Sequence, residues 1–332
     1  MTIGVGVIGT GMLGQAHAAI YASLAGCKLV AVAESNAATL ERVASGLRVP
    51  GYRSYDEMLQ KEKDIKAVSI CTPDSLHLAP AEAAAKRGVG MLIEKPLAHT
   101  VEEGEKIIKA AKAGGATLMV GHLLHFDAGY AQAHAAVKNG EIGQVVHLFT
   151  RRNDLISDVL RMSWSKNTTL PIYLGVHDYD IMNWFIPSTA DTVYALSRSV
   201  ALPETTSHDS VLALFKYQDG TVAAWESSWI LPESLARSDM GLEVVGTKGV
   251  LFVESRPTSV RIYAEKQRMP DTMYAANVHG RLVGALREQL EHFVRCVSTG
   301  SAPLIGGAEG LQAVRMAVAV DRSLATGKVV QI

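Results

Sequence analysis

The sequence predicts an α/β N-terminal part built on a doubly wound parallel sheet, followed by an α+β part with a large, mostly antiparallel open sheet. Two observations carry this reading. From Met1 to about Val120, short β-branched runs alternate with longer Ala-rich stretches of helical periodicity, the pattern of repeated βαβ units with helices on both faces of a parallel sheet. Past Lys138 the pattern changes to successive short strands separated by turn signals such as Asp219-Gly220 and Lys248-Gly249, as in hairpin-connected sheets.

In chain order, strands are expected at Ile3–Ile8, Leu29–Ala33, Ala67–Cys71, Gly90–Ile93 and Thr117–Val120. Helices are expected at Met12–Leu24, Ala37–Ser45, Tyr55–Gln60, Leu78–Arg87 and Val101–Ala113, each closing near Gly, Pro or a polar cluster. A helix near Ala128–Lys138 then leads into strands at Val145–Arg151, Thr192–Ser199, Ser210–Tyr217, Thr221–Trp229, Leu242–Val245, Val250–Glu254 and Val260–Ala264. The final helices, about Gly280–Thr299 and Ala308–Ala325, carry apolar residues at helical spacing, which equips them to pack back on the first domain. The chain thus divides into a domain over 1–121 and a second over 122–332.

Composition narrows the function. The 332 residues suffice for about two domains. Lys plus Arg at 32 against Asp plus Glu at 33 leave a net charge of −1, which gives no electrostatic reason to bind nucleic acid or an anionic membrane and leaves a small molecule as the expected partner. No apolar run approaches the roughly 18 residues a spanning helix needs. Cys27, Cys71 and Cys296 are odd in number and form no C-x-x-C pair, so neither a disulfide framework nor a structural zinc is indicated. No basic segment precedes the first apolar run, and the expected compartment is a reducing cytoplasm.

Gly9-Thr10-Gly11-Met12-Leu13-Gly14 follows an apolar strand and opens a helix, and Glu34 lies 20 positions after Gly14 at the end of the next strand. In that order the glycines supply a tight turn, access for a pyrophosphate and close helix–strand packing. The helix N-terminus, at Met12 and Leu13, offers amide donors, and the acid accepts the ribose hydroxyls of an adenosine. At about 4 Å from a 2′-phosphate, Glu34 would meet repulsion of about 4 kcal/mol at an effective dielectric near 20. Neither Ser35 nor Asn36 supplies a compensating cation, so NAD(H) is favoured over NADP(H).

Cys71-Thr72-Pro73-Asp74 through His77, Glu94-Lys95-Pro96-Leu97, Gly175-Val176-His177-Asp178-Tyr179-Asp180 and the C-terminal pattern Gly310, Val314, Ala317, Arg322-Ser323, Gly327 together resemble the Gfo/Idh/MocA oxidoreductases along the whole chain. That resemblance implies a dinucleotide crevice lined by Thr72, Pro73, His77 and Glu94. It implies a Lys95 that hydrogen-bonds the substrate oxygen beside the nicotinamide and an often cis Lys95–Pro96 peptide. It also implies a His177 facing the reacting carbon. The relatives' aspartate four residues before that histidine is here Tyr173, whose phenol is neutral near pH 7. Tyr173 therefore either relays a proton with Lys95 or shapes the pocket while Lys95 and His177 carry the proton. His122 and His125 fall in a segment that lines the nicotinamide and substrate in relatives, with His125 where Arg is frequent, which argues against an anionic substrate. Arg152, Asn153, Trp164 and Asp178 complete the expected substrate residues, and no metal is expected.

The function so implied is NAD(H)-dependent hydride transfer between nicotinamide and a secondary alcohol or ketone of a sugar, cyclitol or related polyol. A non-catalytic NAD-binding sensor and an imine or carbonyl reductase on the same fold stay open as alternatives. Relatives bury the open sheet face against another subunit, so a homodimer or homotetramer is expected.

Overall fold

A computed structural model describes residues 2–161, 167–202, 208–235, 238–254, 260–263 and 267–332. Contacts divide the chain into two units, one of Met1–Phe126 with Thr272–Leu311 and one of Asp127–Asp271 with Gln312–Ile332.

In the first unit the chain runs β1 (Ile3–Ile8), α1 (Met12–Ser23), β2 (Cys27–Ala33), α2 (Ala37–Leu47), β3 (Gly51–Tyr52), α3 (Tyr55–Lys61), β4 (Ile65–Ile70), α4 (Leu78–Ala85), β5 (Gly90–Ile93), α5 (Val101–Ala113) and β6 (Leu118–Val120). The strands form one parallel sheet in the order β3-β2-β1-β4-β5-β6. Every residue of β1 is buried, as expected of a strand with helices on both faces. The order reverses between β1 and β4, which opens a crevice at the C-terminal ends of those strands. β3, only two residues long, was not among the expected strands because so short a run shows no periodicity.

The second unit contains α6 (Ala128–Lys138), β7 (Val145–Leu155), α7 (Ile156–Arg161), α8 (Val176–Phe185), β8 (Ala190–Arg198), β9 (Ser210–Tyr217), β10 (Val222–Leu231), β11 (Asp239–Gly246), β12 (Val250–Glu254), β13 (Ile262–Tyr263) and β14 (Gln267–Arg268). The chain then returns to the first unit with β15 (Ala276–Val278), β16 (Arg281–Val283) and α9 (Ala285–Thr299), and closes with α10 (Gly307–Thr326) and β17 (Val330–Gln331). The expected helix start at Gly280 is displaced: His279 (φ 51°) and Gly280 (φ 84°) are both left-handed and form the two-residue turn of the β15–β16 hairpin. The Asn277 side chain accepts from the Gly280 N–H at 2.9 Å. Of the strand expected at Val260–Ala264, Ile262 and Tyr263 pair with Arg268 and Gln267 in a separate two-stranded sheet, and Ala264 lies outside the described residues.

α9 completes the core of the first unit. Its Leu286, Leu290, Phe293 and Val294 pack with Val5, Ile20 and Tyr21, each such side chain contributing roughly 1.5–3 kcal/mol when fully buried. The buried Arg287 guanidinium donates to the Ser23 hydroxyl and carbonyl, both at 3.1 Å, satisfying the carboxyl end of α1.

The second unit's sheet runs β12-β11-β7-β10-β9-β8-β17; β7 and β10 are parallel and the other neighbours antiparallel. One face is apolar and buried: Val193, Ala195, Val211, Ala213, Phe215, Ala223 and Trp225 are at most 3% exposed. Across the opposite face, residues in register form a continuous row, Tyr194–Leu214–Ala224–Phe149–Glu243–Phe252, flanked by Leu196 and Leu212. Leu196, Leu212, Leu214 and Phe252 are 57–63% exposed, a large apolar surface for one sheet to leave open.

Candidate functional site

The glycine loop is shaped by close approaches that only hydrogen side chains permit. Gly9 (φ +83°) lies so near the Cys71–Thr72 peptide that a Cβ would meet the Cys71 carbonyl oxygen at 2.8 Å, and a Cβ on Gly14 would stand 1.9 Å from the Gly9 carbonyl oxygen. Gly11 faces open space, with nothing within 4 Å of a Cβ. It is the N-cap of α1, offers no side-chain cap, and no acid occupies the first turn. The amides of Met12, Leu13 and Gly14 have no carbonyl behind them in the helix. An uncapped helix start open on its outer side fits a pyrophosphate.

Glu34 is fixed toward that loop. Its Oε2 accepts from the Thr10 N–H at 2.8 Å and the Thr10 hydroxyl at 3.2 Å, and its Oε1 from the Asn36 N–H at 2.9 Å and the Ser35 hydroxyl at 3.4 Å. Burial alone would raise its pKa, but the Asn36 and Thr10 amides, then the Thr10 and Ser35 hydroxyls, outweigh it and hold the carboxyl below its ordinary range. The group is half-buried and charged at neutral pH. These residues fit an adenine dinucleotide whose ribose lacks a 2′-phosphate.

The tips of β4, β5 and β6 form the other wall. His77, buried in the segment after β4, sets Nε2 3.0 Å from the Thr72 carbonyl oxygen and Nδ1 2.9 Å from that of Pro96. Both partners only accept, so the imidazolium alone satisfies both, while burial, the larger effect, pulls the pKa down. The ring ties the Thr72-Pro73 segment to the turn after β5, where the Lys95–Pro96 peptide is cis and Lys95 is half-buried. Glu94, 6% exposed, occupies the space left by Gly121, where a Cβ would lie 2.9 Å from its Oε1. His17 of α1 also lies against it, with Nε2 3.1 Å from Oε1 but its N–H off the ideal hydrogen-bond line. His17 was not among the site residues expected from the sequence. His17 sits on the buried side of α1 and is indistinguishable by pattern from a core residue. His122 and His125 follow Gly121 and are both buried.

In the second unit, a π-helical turn over Pro171–Gly175 runs straight into α8, a distortion common at functional sites. From Pro171 to Met182 every residue is buried except Tyr173 and His177, which are half-buried. Four residues apart, they share one side of the helix. The Tyr173 ring lies 6.3 Å from that of the fully buried Trp229.

The remaining substrate candidates separate. Arg152 and Asn153 are consecutive in β7 and point to opposite faces, as strand alternation requires. Arg152 turns to the buried face, where its Nε and Nη2 donate to Asp178 at 3.0 and 3.1 Å. The Thr150 hydroxyl and Trp225 indole N–H donate to the same carboxylate at 2.8 and 3.0 Å. Four donors fill the roughly four lone-pair sites of a carboxylate, so Asp178 holds α8 to the sheet with no site left for a substrate. Asn153 donates to Glu226 at 3.0 Å on the open face. Trp164 lies outside the described residues.

Known proteins agree with this architecture. The profile of an oxidoreductase family's NAD-binding Rossmann fold matches residues 3–122, and that of the family's C-terminal alpha/beta domain matches residues 134–332. A scyllo-inositol 2-dehydrogenase (NAD(+)) of Bacillus subtilis is 28% identical over 334 residues, covering 98% of this chain and 95% of that protein. An inositol 2-dehydrogenase of Rhizobium meliloti is 27% identical over 341 residues, covering 100% of both. The crystal structure of scyllo-inositol dehydrogenase from Lactobacillus casei, with bound cofactor NAD(H) and scyllo-inositol, superposes with a TM-score of 0.87 at 25% identity, covering 100% of this chain and 99% of that one. With both halves matched in order, the chain belongs to the Gfo/Idh/MocA oxidoreductases, and residues 3–122 are their NAD-binding Rossmann fold.

Proposed function

We propose that this oxidoreductase interconverts a secondary alcohol and a ketone on a cyclitol, sugar or related polyol, with NAD(H) as its dinucleotide. The observation that carries the reading is Lys95, half-buried on a turn at the tip of β5 that His77 ties to the Thr72-Pro73 segment. That tip borders the crevice where dinucleotides bind in doubly wound sheets. The inositol dehydrogenases named above support the substrate class.

NAD, when bound, supplies the hydride acceptor. Lys95 accepts the proton of the substrate hydroxyl in oxidation and returns it in reduction, which requires its neutral form at the start of oxidation. His177 assists that proton transfer. Tyr173, neutral and turned to the same side of its helix as His177, shapes the pocket. A second copy of the chain covers the Tyr194–Phe252 row, making a homodimer or homotetramer. The working compartment is the cytoplasm, whose reducing conditions suit three free thiols.

The test is a panel of inositols and sugars with NAD, followed by NADH absorbance. NADH formation with a cyclitol or sugar is expected. NADH binding with no turnover of any polyol overturns the reading in favour of a sensor, and NADH consumption with imines or non-sugar carbonyls alone overturns it in favour of a reductase of those substrates.

A further inference from the structure

His17 heads a buried polar chain that the reaction as proposed leaves unused. The ring is fully buried. Its Nε2 stands 3.1 Å from Glu94 Oε1, and its Nδ1 stands 3.1 Å from Ser69 Oγ and 3.5 Å from Cys71 Sγ. Ser69 Oγ is in turn 2.8 Å from the Tyr21 hydroxyl. With a neutral ring, Tyr21 donates to Ser69, Ser69 donates to His17 Nδ1, and Nε2–H is left facing the Glu94 carboxylate, while the Cys71 thiol lies beside Nδ1 without a lone pair of its own there. Without that last contact, Glu94 would be a buried acid against Gly121, and burial favours its neutral form.

We propose that His17 is a positioning residue: by presenting Nε2–H to the carboxylate it keeps Glu94 ionised in the space Gly121 leaves, and that fixed negative charge sets the protonation balance of the adjoining Lys95. The inference rests on Lys95 being the proton-transfer group. The groups facing Glu94 are His17 and Tyr21 from α1, Cys71 after β4, His77 in the following segment, and Lys95. Burial raises the Tyr21 phenol and the Cys71 thiol well above their ordinary values, so both stay protonated, leaving His17, His77 and Lys95 as the partners that can carry positive charge. For Glu94 itself, burial is outweighed by the neighbouring His17 and then by Lys95 and His77, which hold its carboxyl low.

The sign follows. An ionised Glu94 favours the ammonium form of Lys95. Replacing His17 by a residue without a donor lets Glu94 take up a proton, removes that charge, and lowers the pH at which Lys95 becomes neutral.

The experiment reads Lys95 directly in the unliganded full chain, by 13C NMR of the reductively methylated protein, with the signal assigned by its loss in Lys95→Arg. His17→Leu and Glu94→Gln are each expected to lower the Lys95 titration midpoint by about one pH unit. The double variant should lower it no further than either alone. His17→Gln, which keeps an N–H on the Glu94 side, should retain the parental midpoint. In turnover, His17→Leu should move the ascending limb of kcat/KM with pH in the same direction while leaving KM for NAD within about twofold. An unchanged Lys95 midpoint in His17→Leu, or additive shifts in the double variant, overturns the proposal. If His17→Leu does not fold, His17→Gln and His17→Asn decide, since Asn places its donor toward Ser69; equal midpoints in the two overturn it. A chain that shows the NMR shifts but oxidises no polyol refutes the substrate reading alone.

Discussion

Asp178 and Arg152 form a two-point ion pair on the buried face of the second sheet, at 3.0 and 3.1 Å and with at most 4% exposure of either side chain. Removing one partner of such a pair strands the other's charge. Asp178→Asn should cost about 3–5 kcal/mol in denaturant unfolding, and adding Arg152→Met should recover part of the loss. A double variant no more stable than Asp178→Asn contradicts this account of the pair.

Gly11 and Gly14 should respond oppositely to a methyl group. Gly14→Ala drives a Cβ to 1.9 Å from the Gly9 carbonyl oxygen, whereas Gly11→Ala meets nothing within 4 Å. We expect Gly14→Ala to lower the melting temperature and Gly11→Ala to leave it unchanged while weakening NADH binding, measured by fluorescence, at least tenfold, about 1.4 kcal/mol. Tight NADH binding by Gly11→Ala is the contrary result.

Glu34 is expected to act on selectivity through its charge. Glu34→Gln keeps the volume and removes the charge facing a 2′-phosphate, so the ratio of NADH to NADPH affinity should fall at least tenfold, chiefly by improved NADPH binding. Titration calorimetry with both nucleotides gives the ratio, and an unaltered ratio removes Glu34 from the ribose site.

If Lys95 carries the substrate proton as proposed, Lys95→Ala should abolish turnover while NADH affinity stays within about threefold. Tyr173→Phe separates the two roles open to the phenol: retained kcat is the outcome for pocket shape, and a fall of about 100-fold or more is the outcome for a proton relay.

The row Tyr194–Leu214–Ala224–Phe149–Glu243–Phe252 should be the subunit contact. Placing charges in and beside it, with Leu214→Glu and Leu212→Lys, should yield monomers by sedimentation equilibrium at concentrations where the parent chain is a dimer or tetramer. A parent chain that sediments as a monomer refutes the contact outright.

Much of the fold is legible in the sequence because βαβ units announce themselves locally: a β-branched run, a glycine turn and an apolar helical stripe lie within a few tens of residues of one another. The Gly9–Gly14 loop and Glu34 stand out for the same reason, each being a strand-end feature, whereas the Glu94-Lys95-Pro96 turn stands out through the family resemblance. What escaped depends on distant partners. His17 meets Ser69 and Glu94, and nothing near His17 in the chain reveals either. Arg152 and Asp178 look like substrate groups by type, yet they satisfy one another, a pairing visible only once β7 and α8 are in place. Asn153 follows Arg152 by one position, and strand alternation sends it to the other face. The His279-Gly280 turn was hidden because the apolar spacing of α9 extends backward over it.

The first unit is assembled from two stretches of chain that are far apart in sequence. Leu286, Leu290, Phe293 and Val294 of α9 fill its core against Val5, Ile20 and Tyr21. During synthesis a nascent chain emerges from its N-terminus, so the nucleotide-binding half leaves the ribosome with a groove along α1 still unfilled, and it stays so until the ribosome has passed Thr299. A fragment ending before that point leaves Ile20 and Tyr21 of α1 without the Leu290 and Phe293 side chains that cover them in the complete chain.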